Sequence, residues 1–336
     1  MKIGKKTVAG VCIGVVCCLL ATFGAVYFMP NSVGGKVSTV TVVVAKDETG
    51  AQIGDRLYQE GAIQSPLAFR IALRLTGTMD KLQQGYYQIP TSASIHDIIG
   101  LLQKGRLKAI KVTIPEGFTI QQIADELAKD GLVRSKEAFL QEAKVYVPYQ
   151  YMYGPAKVDY RVEGFLFPST YEIPVNSTPK EILSIMAGEM NKQLTPEIRA
   201  KIQARHLTIF QFITLASLVE KEAKFDEDRP IIAAVFMKRL AIGMPLQSCA
   251  SIQYILGYPK PLLSVADTEI QNPYNTYLHK GLPPGPIANP GMKSMEAVLN
   301  APQTDYLFFV ADKEGHHHFT KTYEEHMKVV ESIYGN

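Results

Sequence analysis

The chain has 336 residues, 46% hydrophobic and 20% charged, an ordinary globular balance with room for two or three domains. Its 35 basic and 32 acidic residues leave a net charge of +3 with no basic stripe, which excludes nucleic acid as the expected partner.

Met1-Lys-Ile-Gly-Lys-Lys6 precedes an uncharged stretch from Thr7 to Met29, closed by Pro30. At roughly 1.5 Å per residue, residues 7–29 are long enough to cross a hydrocarbon core and are read as a transmembrane helix. A signal peptide would have a shorter apolar core and a small-residue cleavage pattern before Pro30. Lys2, Lys5 and Lys6 put the tail, residues 1–6, in the cytoplasm. The expectation is a single-pass cell-membrane protein working on the outer side. Cys12, Cys17 and Cys18 fall inside the span, so Cys249 has no partner outside for an internal disulfide. Asn31-Ser-Val-Gly-Gly35 reads as a linker.

The β-branched run Val37 to Val44 predicts a strand. An internal repeat follows: Gln52-Ile53, Asp55, Leu57, Gly61, Ile63, Ser65, Ala68 and Phe69 recur in the same register as Gln122-Ile123, Asp125, Leu127, Gly131, Val133, Ser135, Ala138 and Phe139. Each copy reads as a helix stopped by glycine and a second helix capped by serine. A half copy carries Ile98 and Leu102. Strand-like Tyr86–Ile89 and Ala109–Ile114 flank these helices and complete small β-α-α-β modules.

Val145 to Tyr153 is a tyrosine-rich connection, suited to packing or to stacking on a sugar face in a chain without tryptophan. Glu163-Gly-Phe-Leu-Phe-Pro-Ser-Thr-Tyr171 reads as a lid or core-edge segment. Thr178-Pro and Thr195-Pro predict capped helices over residues 179–193 and 196–205, and a further helix spans 228–242 before Gly243.

Between Leu207 and Ala223, Thr208 and Gln211 form a capping-box pattern. Apolar residues then cover almost every helical face, which marks a buried helix. Glu220 ends that apolar run. A carboxyl beside low-dielectric surroundings favours the proton-carrying form that a general acid needs. Glu222, roughly 200° further round the helix, is expected on the solvent side. Asp226, Glu227 and Asp228 would supply a second carboxylate to a hydrolase, although a charged helix start accounts for them. Loops around Met244–Tyr254, Asn272–Tyr277 and Gly281–Gly291 are stiffened by proline and suited to line a cleft. Tyr306–Val310 and His316–Thr320 predict a β-hairpin. His316 and His318 share a strand face, but no second ligand pattern accompanies them, so neither metal nor cofactor is expected. Cys249 with one of these histidines would be a thiol-nucleophile pair, a different enzyme class.

Leu215-Ala-Ser-Leu-Val-Glu-Lys-Glu222, Pro245-Leu-Gln247, Tyr274-Asn-Thr-Tyr277, Gly281-Leu-Pro-Pro-Gly285, Asn289-Pro-Gly291 and Phe309-Val-Ala-Asp312 follow one another in this order. The series resembles the motifs of the endolytic murein transglycosylases, the YceG-like family. The resemblance implies an α+β protein: a membrane anchor, a LysM-like region over residues 37–145 and a mixed, helix-rich catalytic domain over 155–334 ending in a β-hairpin. It implies cleavage of nascent peptidoglycan glycan strands beside the membrane's cell-wall synthesis machinery, with 1,6-anhydromuramoyl ends and Glu220 as general acid and base. Gln247, Ser248 and Asn275 are the expected polar contacts to an N-acetyl sugar, with Tyr254, Tyr274 and Tyr277 against its face. Two positions depart from the family pattern: Cys249-Ala250 stands where Asp-Pro is common, and Ser169 where aspartate is common. The alternatives are a membrane-tethered peptidoglycan-binding scaffold without catalysis and a hydrolytic muramidase.

Overall fold

The computed structural model describes residues 24, 27–29, 39–45, 48–104, 109–155, 158–175, 177–260 and 262–335. The cytoplasmic tail, the linker at 31–35 and the membrane span expected over 7–29, apart from residues 24 and 27–29, lie outside the described residues. Among the described residues no helix is long and apolar enough to cross a membrane. The fold is α+β, helix-rich with small two-stranded sheets, and the chain divides into two units, Met1–Ala109 and Ile110–Asn336.

In the first unit, β1 (Thr39–Val44) pairs antiparallel with β2 (Gly85–Pro90), Val42 opposite Tyr87. Between them lie α1 (Gly50–Gln59) and α2 (Pro66–Thr76), and α3 (Ile95–Lys104) follows. Thr49 and Gln52 cap α1 reciprocally, Gly61 turns the chain at φ +74°, and Ser65 Oγ accepts from the Ala68 amide at 3.2 Å. Val42, Ile53, Leu57, Phe69, Leu73, Ile98 and Leu102 form the core of this unit.

The second repeat copy sits in the other unit, with the same local chemistry. β3 (Ala109–Thr113) precedes α4 (Ile120–Lys129) and α5 (Lys136–Val145), with Thr119 and Gln122 as the capping box, Gly131 at φ +70° and Ser135 as cap. Its strand partner is β4 (Thr170–Pro174), a later segment. Ile123, Leu127 and Phe139 thereby join the core made by Phe165, Leu166, Phe212, Leu215, Leu218 and Phe236. Equal sequence signals give equal helices, but the apolar face of each copy is satisfied by whatever packs on it.

The remaining helices are α6 (Pro179–Gln193), α7 (Pro196–Ala204), α8 (Ile209–Glu222), α9 (Arg229–Ala241), α10 (Cys249–Leu256), α11 (Val265–Thr268), α12 (Met292–Leu299) and α13 (Tyr323–Tyr334). The last was not expected from the sequence, although Thr322 and Glu325 cap it reciprocally. The hairpin is β5 (Phe308–Ala311) with β6 (His317–Thr320), turned by Asp312, whose side chain accepts from the Gly315 and His316 amides. In the tyrosine-rich connection, Tyr149 and Tyr151 stack at 5.4 Å and Arg199 lies 5.1 Å over Tyr151, so these rings pack against the helices.

The Glu163–Tyr171 segment is core edge, with Phe165 and Leu166 fully buried. Gly164 holds φ +84°, and a Cβ there would overlap the Pro286 ring, which brings the proline-rich loop against this turn. Replacing Gly164 with alanine combines left-handed strain with overpacking. We expect a loss of about 2–4 kcal/mol, read as a lower midpoint in denaturant unfolding.

Candidate active site

The apolar run predicted in α8 is buried from Phe212 to Val219, and the Thr208 and Gln211 cap closes as expected. Two polar groups interrupt it: Thr214 Oγ1 donates back to Phe210 O at 2.8 Å, and Ser217 Oγ accepts from the Ile287 amide at 3.1 Å and anchors the proline-rich loop to the helix. At the end of the helix the Glu220 side chain is only 6% exposed. Its surroundings are not the purely apolar ones expected. Oε1 accepts from Arg229 Nη1 at 3.3 Å and Oε2 from the Gly291 amide at 3.0 Å. Arg229 is itself buried at the start of α9, bonded also to Ser294 and Asp226. Sequence reasoning missed Arg229 because a helix-initial arginine has no signature until its carboxylate partner is known.

A second carboxylate, also unforeseen, lies beside Glu220. Glu116 precedes a turn at Gly117, φ +76°, and its carboxyl covers the face of Gly291 so closely that a Cβ there would overlap it. Partial burial pushes the Glu116 carboxyl up, Glu220's charge adds to that, and Arg229 and Lys293 oppose it. Lys293 and Arg229 hold Asp226 below the usual carboxylate range.

Behind this pair lies a buried polar knot. Asn289 pairs through its backbone with Gly117 and Phe118, both at 2.9 Å. Its Oδ1 accepts from the Leu166 amide at 2.8 Å, and its Nδ2 donates to Phe118 O at 2.9 Å and to Glu163 Oε1 at 3.3 Å. Glu163, 1% exposed, also accepts the Ile120 amide at the start of α4 (3.0 Å to Oε1) and the Tyr254 hydroxyl (3.4 Å to Oε2). Burial dominates these donors and pushes the Glu163 carboxyl up to about 8.

A cleft of about 610 Å³ opens here, lined among others by Gln122, Tyr160, Glu163, Lys221, Gln253, Tyr254, Asn272 and Tyr274. Glu220 lies outside this lining, next to Lys221, so the cleft adjoins the carboxylate without containing it. Of the six expected sugar contacts, the cleft gathers Tyr254 and Tyr274, whose rings lie 5.0 Å apart at 45°. Asn275 is fully buried, donating to Thr268 O and Ile270 O and accepting the Tyr277 amide, all at 2.9 Å, so its amide holds its own loop together. Ser248 is buried and donates to Glu222, and Tyr277 lies 3.1 Å from Cys249 Sγ. Gln247 is exposed in a left-handed conformation, φ +49°, which a non-glycine residue adopts at a cost.

Glu222 corrects the solvent-side expectation. It does face away from Glu220, but it is half-buried, accepting from Ser248 Oγ and, at 3.4 Å, the Ala250 amide, and burial pushes it up. The start of α10 packs over the helix end, so a position outside the apolar stripe is still covered. The three histidines diverge: His317 pairs with buried Asp228 at 2.9 Å, His318 with Asp312 at 3.0 Å, and His316 stacks on Phe225 at 3.8 Å.

A family model for the YceG-like family matches residues 42–332. The chain belongs to the YceG-like family. It is similar to a Streptococcus pneumoniae (serotype 2, strain D39) protein named endolytic murein transglycosylase, 35% identical over 315 residues, 85% of this chain and 57% of that relative. A Bacillus subtilis (strain 168) protein of the same name is 33% identical over 306 residues, 88% of this chain and 84% of the relative. The chain thus spans little more than half the length of the pneumococcal relative. A crystal structure of a yceG-like protein from Listeria monocytogenes superposes with a TM-score of 0.62 at 29% identity, covering 88% of this chain and all of that one. In this YceG-like chain the departures at Cys249 and Ala250 sit at the start of α10, where the Ala250 amide serves Glu222. Ser169 offers its carbonyl to the Ile114 amide at 2.9 Å.

The Glu163 carboxyl sets a pH dependence. Unfolded, it ionises near 4.5; folded, it keeps its proton up to about 8. The native state therefore holds the extra proton between those values, and stability falls as pH rises through that window, levelling above it. Glu163→Gln, an uncharged isostere, should flatten this slope and match or exceed the wild-type thermal midpoint at pH 8. Scans from pH 4 to 9 check it, and parallel slopes in both proteins would count against a neutral Glu163.

Proposed function

We propose that this chain is a membrane-anchored endolytic murein transglycosylase with Glu220 as its acid and base. The observation that carries the reading is the placement of Glu220 at the end of a buried helix. There it is held by an arginine and by the amide of the Asn289-Pro-Gly291 motif, in a chain whose relatives bear that name.

The chemistry needs few groups. Protonation of the glycosidic oxygen releases one strand end, and the muramoyl C6 hydroxyl attacks C1 in place of water. The product is a 1,6-anhydromuramoyl end. A single carboxyl suffices in the simplest form, giving its proton to the leaving oxygen and taking one from the C6 hydroxyl, whereas hydrolytic glycosidases need two. The N-acetyl carbonyl of the substrate stabilises positive charge at C1. Tyr254 lines the adjoining cleft and suits a sugar face, with buried Tyr274 packed against it and Gln253 and Asn272 as polar contacts. Gln247 is exposed, its Oε1 accepting from Arg239 Nη1 at 3.5 Å, whereas Ser248, Asn275 and Tyr277 support the loops around the site.

The apolar segment at 7–29 anchors the chain in the cell membrane with its amino terminus cytoplasmic. The repeat region is LysM-like and binds glycan, and the catalytic unit works outside on strands as the synthesis machinery delivers them.

Full-length protein in detergent micelles, wild type and Glu220→Gln, would be incubated with un-crosslinked glycan strands and the products weighed by mass spectrometry. Wild type should give muramoyl ends one water lighter than hydrolytic ends, with Glu220→Gln slower by on the order of 10²–10⁴-fold. Water-added ends would indicate a muramidase, and binding without cleavage a scaffold.

A further inference from the structure

Six carboxyl groups other than Glu220 lie near the end of α8, and the structure disposes of five. Glu227 points to His316, 4.0 Å away on the hairpin side. Glu163 is 1% exposed and tied to Ile120, Asn289 and Tyr254. Glu222 is committed to Ser248 and Ala250. Asp228 is buried against His317, and Asp226 bridges Arg229 and Lys293. Glu116 is exposed, as Asp226 and Glu227 are, but differs from them and the others in that no hydrogen bond or ion pair reaches its carboxyl among the described residues.

Its position is set by backbone rather than by chance. The Gly117 amide donates to Asn289 O, and the Asn289 amide to Phe118 O, both at 2.9 Å, so the 116–118 segment runs against the 289–291 segment. Gly291 is then shared. Its amide donates to Glu220 Oε2 at 3.0 Å, and its side-chain-free face is covered by Glu116. A Cβ built on Gly117 would lie 3.5 Å from Glu220 Cγ, which puts the same turn against the Glu220 side chain. The charged groups around Glu116 are Glu220, Arg229, Lys293 and Asp226, and Lys221 Nζ donates to the neighbouring Gly117 O at 3.3 Å.

The two carboxyls are therefore unlike. Both Glu220 oxygens already accept a hydrogen bond and the side chain is 6% exposed, whereas Glu116 is open to an incoming glycan. Pairs of carboxyls in contrasting environments are how glycosidases separate acid from base. The transglycosylase reading above gives both proton transfers to Glu220. Resting on that reaction but dividing its roles, we propose that Glu116 is a second catalytic residue, which donates the proton to the departing glycosidic oxygen while Glu220 accepts the proton of the attacking C6 hydroxyl. The C1–O bond breaks with its electron pair going to the leaving oxygen, which takes the Glu116 proton. The C6 oxygen bonds to C1 and gives its proton to Glu220. Passage of that proton from Glu220 to Glu116 resets the pair, and no water or external acid is consumed. Partial burial and the charge of Glu220 both raise Glu116, which suits a donor.

A leaving group that departs without protonation separates the two roles. Full-length wild type, Glu116→Gln, Glu116→Asp and Glu220→Gln would be assayed on un-crosslinked glycan and on an aryl muramoyl glycoside whose phenolate leaves unaided. Glu116→Gln should fall on the order of 10²-fold or more on glycan but stay within about 10-fold of wild type on the aryl substrate. Wild type should show an alkaline decline in kcat/KM on glycan, and Glu116→Gln should lose it. Glu116→Asp should recover part of the glycan rate, and Glu220→Gln should fail on both substrates. Equal loss on both substrates by Glu116→Gln with an unchanged thermal midpoint would make Glu116 a binding residue and overturn the proposal, as would a wild-type rate on glycan. Loss on both substrates with a lowered midpoint, and no recovery in Glu116→Asp, would reduce Glu116 to a structural role and overturn it too. Anhydro ends from the wild type with either result keep the transglycosylase reading intact; a wild type that cuts neither substrate ends both.

Discussion

The contact between Asn289 and Glu163, deep behind the site, is the constraint on which the rest depends. Asn289 spends its side-chain oxygen on Leu166, its amide on Phe118 and Glu163, and its backbone on the 117–118 turn. Three segments far apart in sequence meet at one side chain. A buried amide that loses such partners leaves them unsatisfied at about 1–3 kcal/mol each, so the arrangement is held as a unit. Gly291, two residues beyond Asn289, lies beside Glu220, and Glu116, one residue before the 117–118 turn, lies over Gly291.

The electrostatics follow from that geometry. Glu163 is far enough from water to keep its proton up to about 8, and a neutral carboxyl at the start of α4 avoids an unpaired buried charge. The charged groups are instead paired with one another: buried Arg229 meets buried Glu220 and exposed Asp226, and Lys293 shares Asp226 at the surface. The site thus separates a buried neutral carboxyl, which positions backbone, from a charged cluster around Glu220. Stiff proline-rich backbone between 281 and 291, pinned to α8 through Ser217, limits the motion that would blur this separation.

The second repeat copy shows how a small module changes its work. Its capping box, left-handed glycine and serine cap reproduce the first copy, yet its core is shared with α8 and α9. Gln122 on α4 lines the cleft beside Tyr254. A unit read from the sequence as a binding module therefore helps build the candidate active site.

Much was legible in the chain itself, because the signals are local. Apolar periodicity, capping boxes at Thr49, Thr119, Thr178 and Thr208, and glycine stops fix elements within a few residues of their causes. The buried α8 and Glu220 at its end needed nothing more, and the motif series marked the family. What the tertiary structure decided is pairing across long separations: Arg229 and Glu116 with Glu220, Asn289 with Glu163, Glu222 with Ser248, and the two repeat copies in different units. A side chain's environment is the sum of what packs on it from elsewhere. The sequence therefore names Glu220 as a carboxyl at a helix end, and only the fold surrounds it with an arginine, an amide and a second carboxyl.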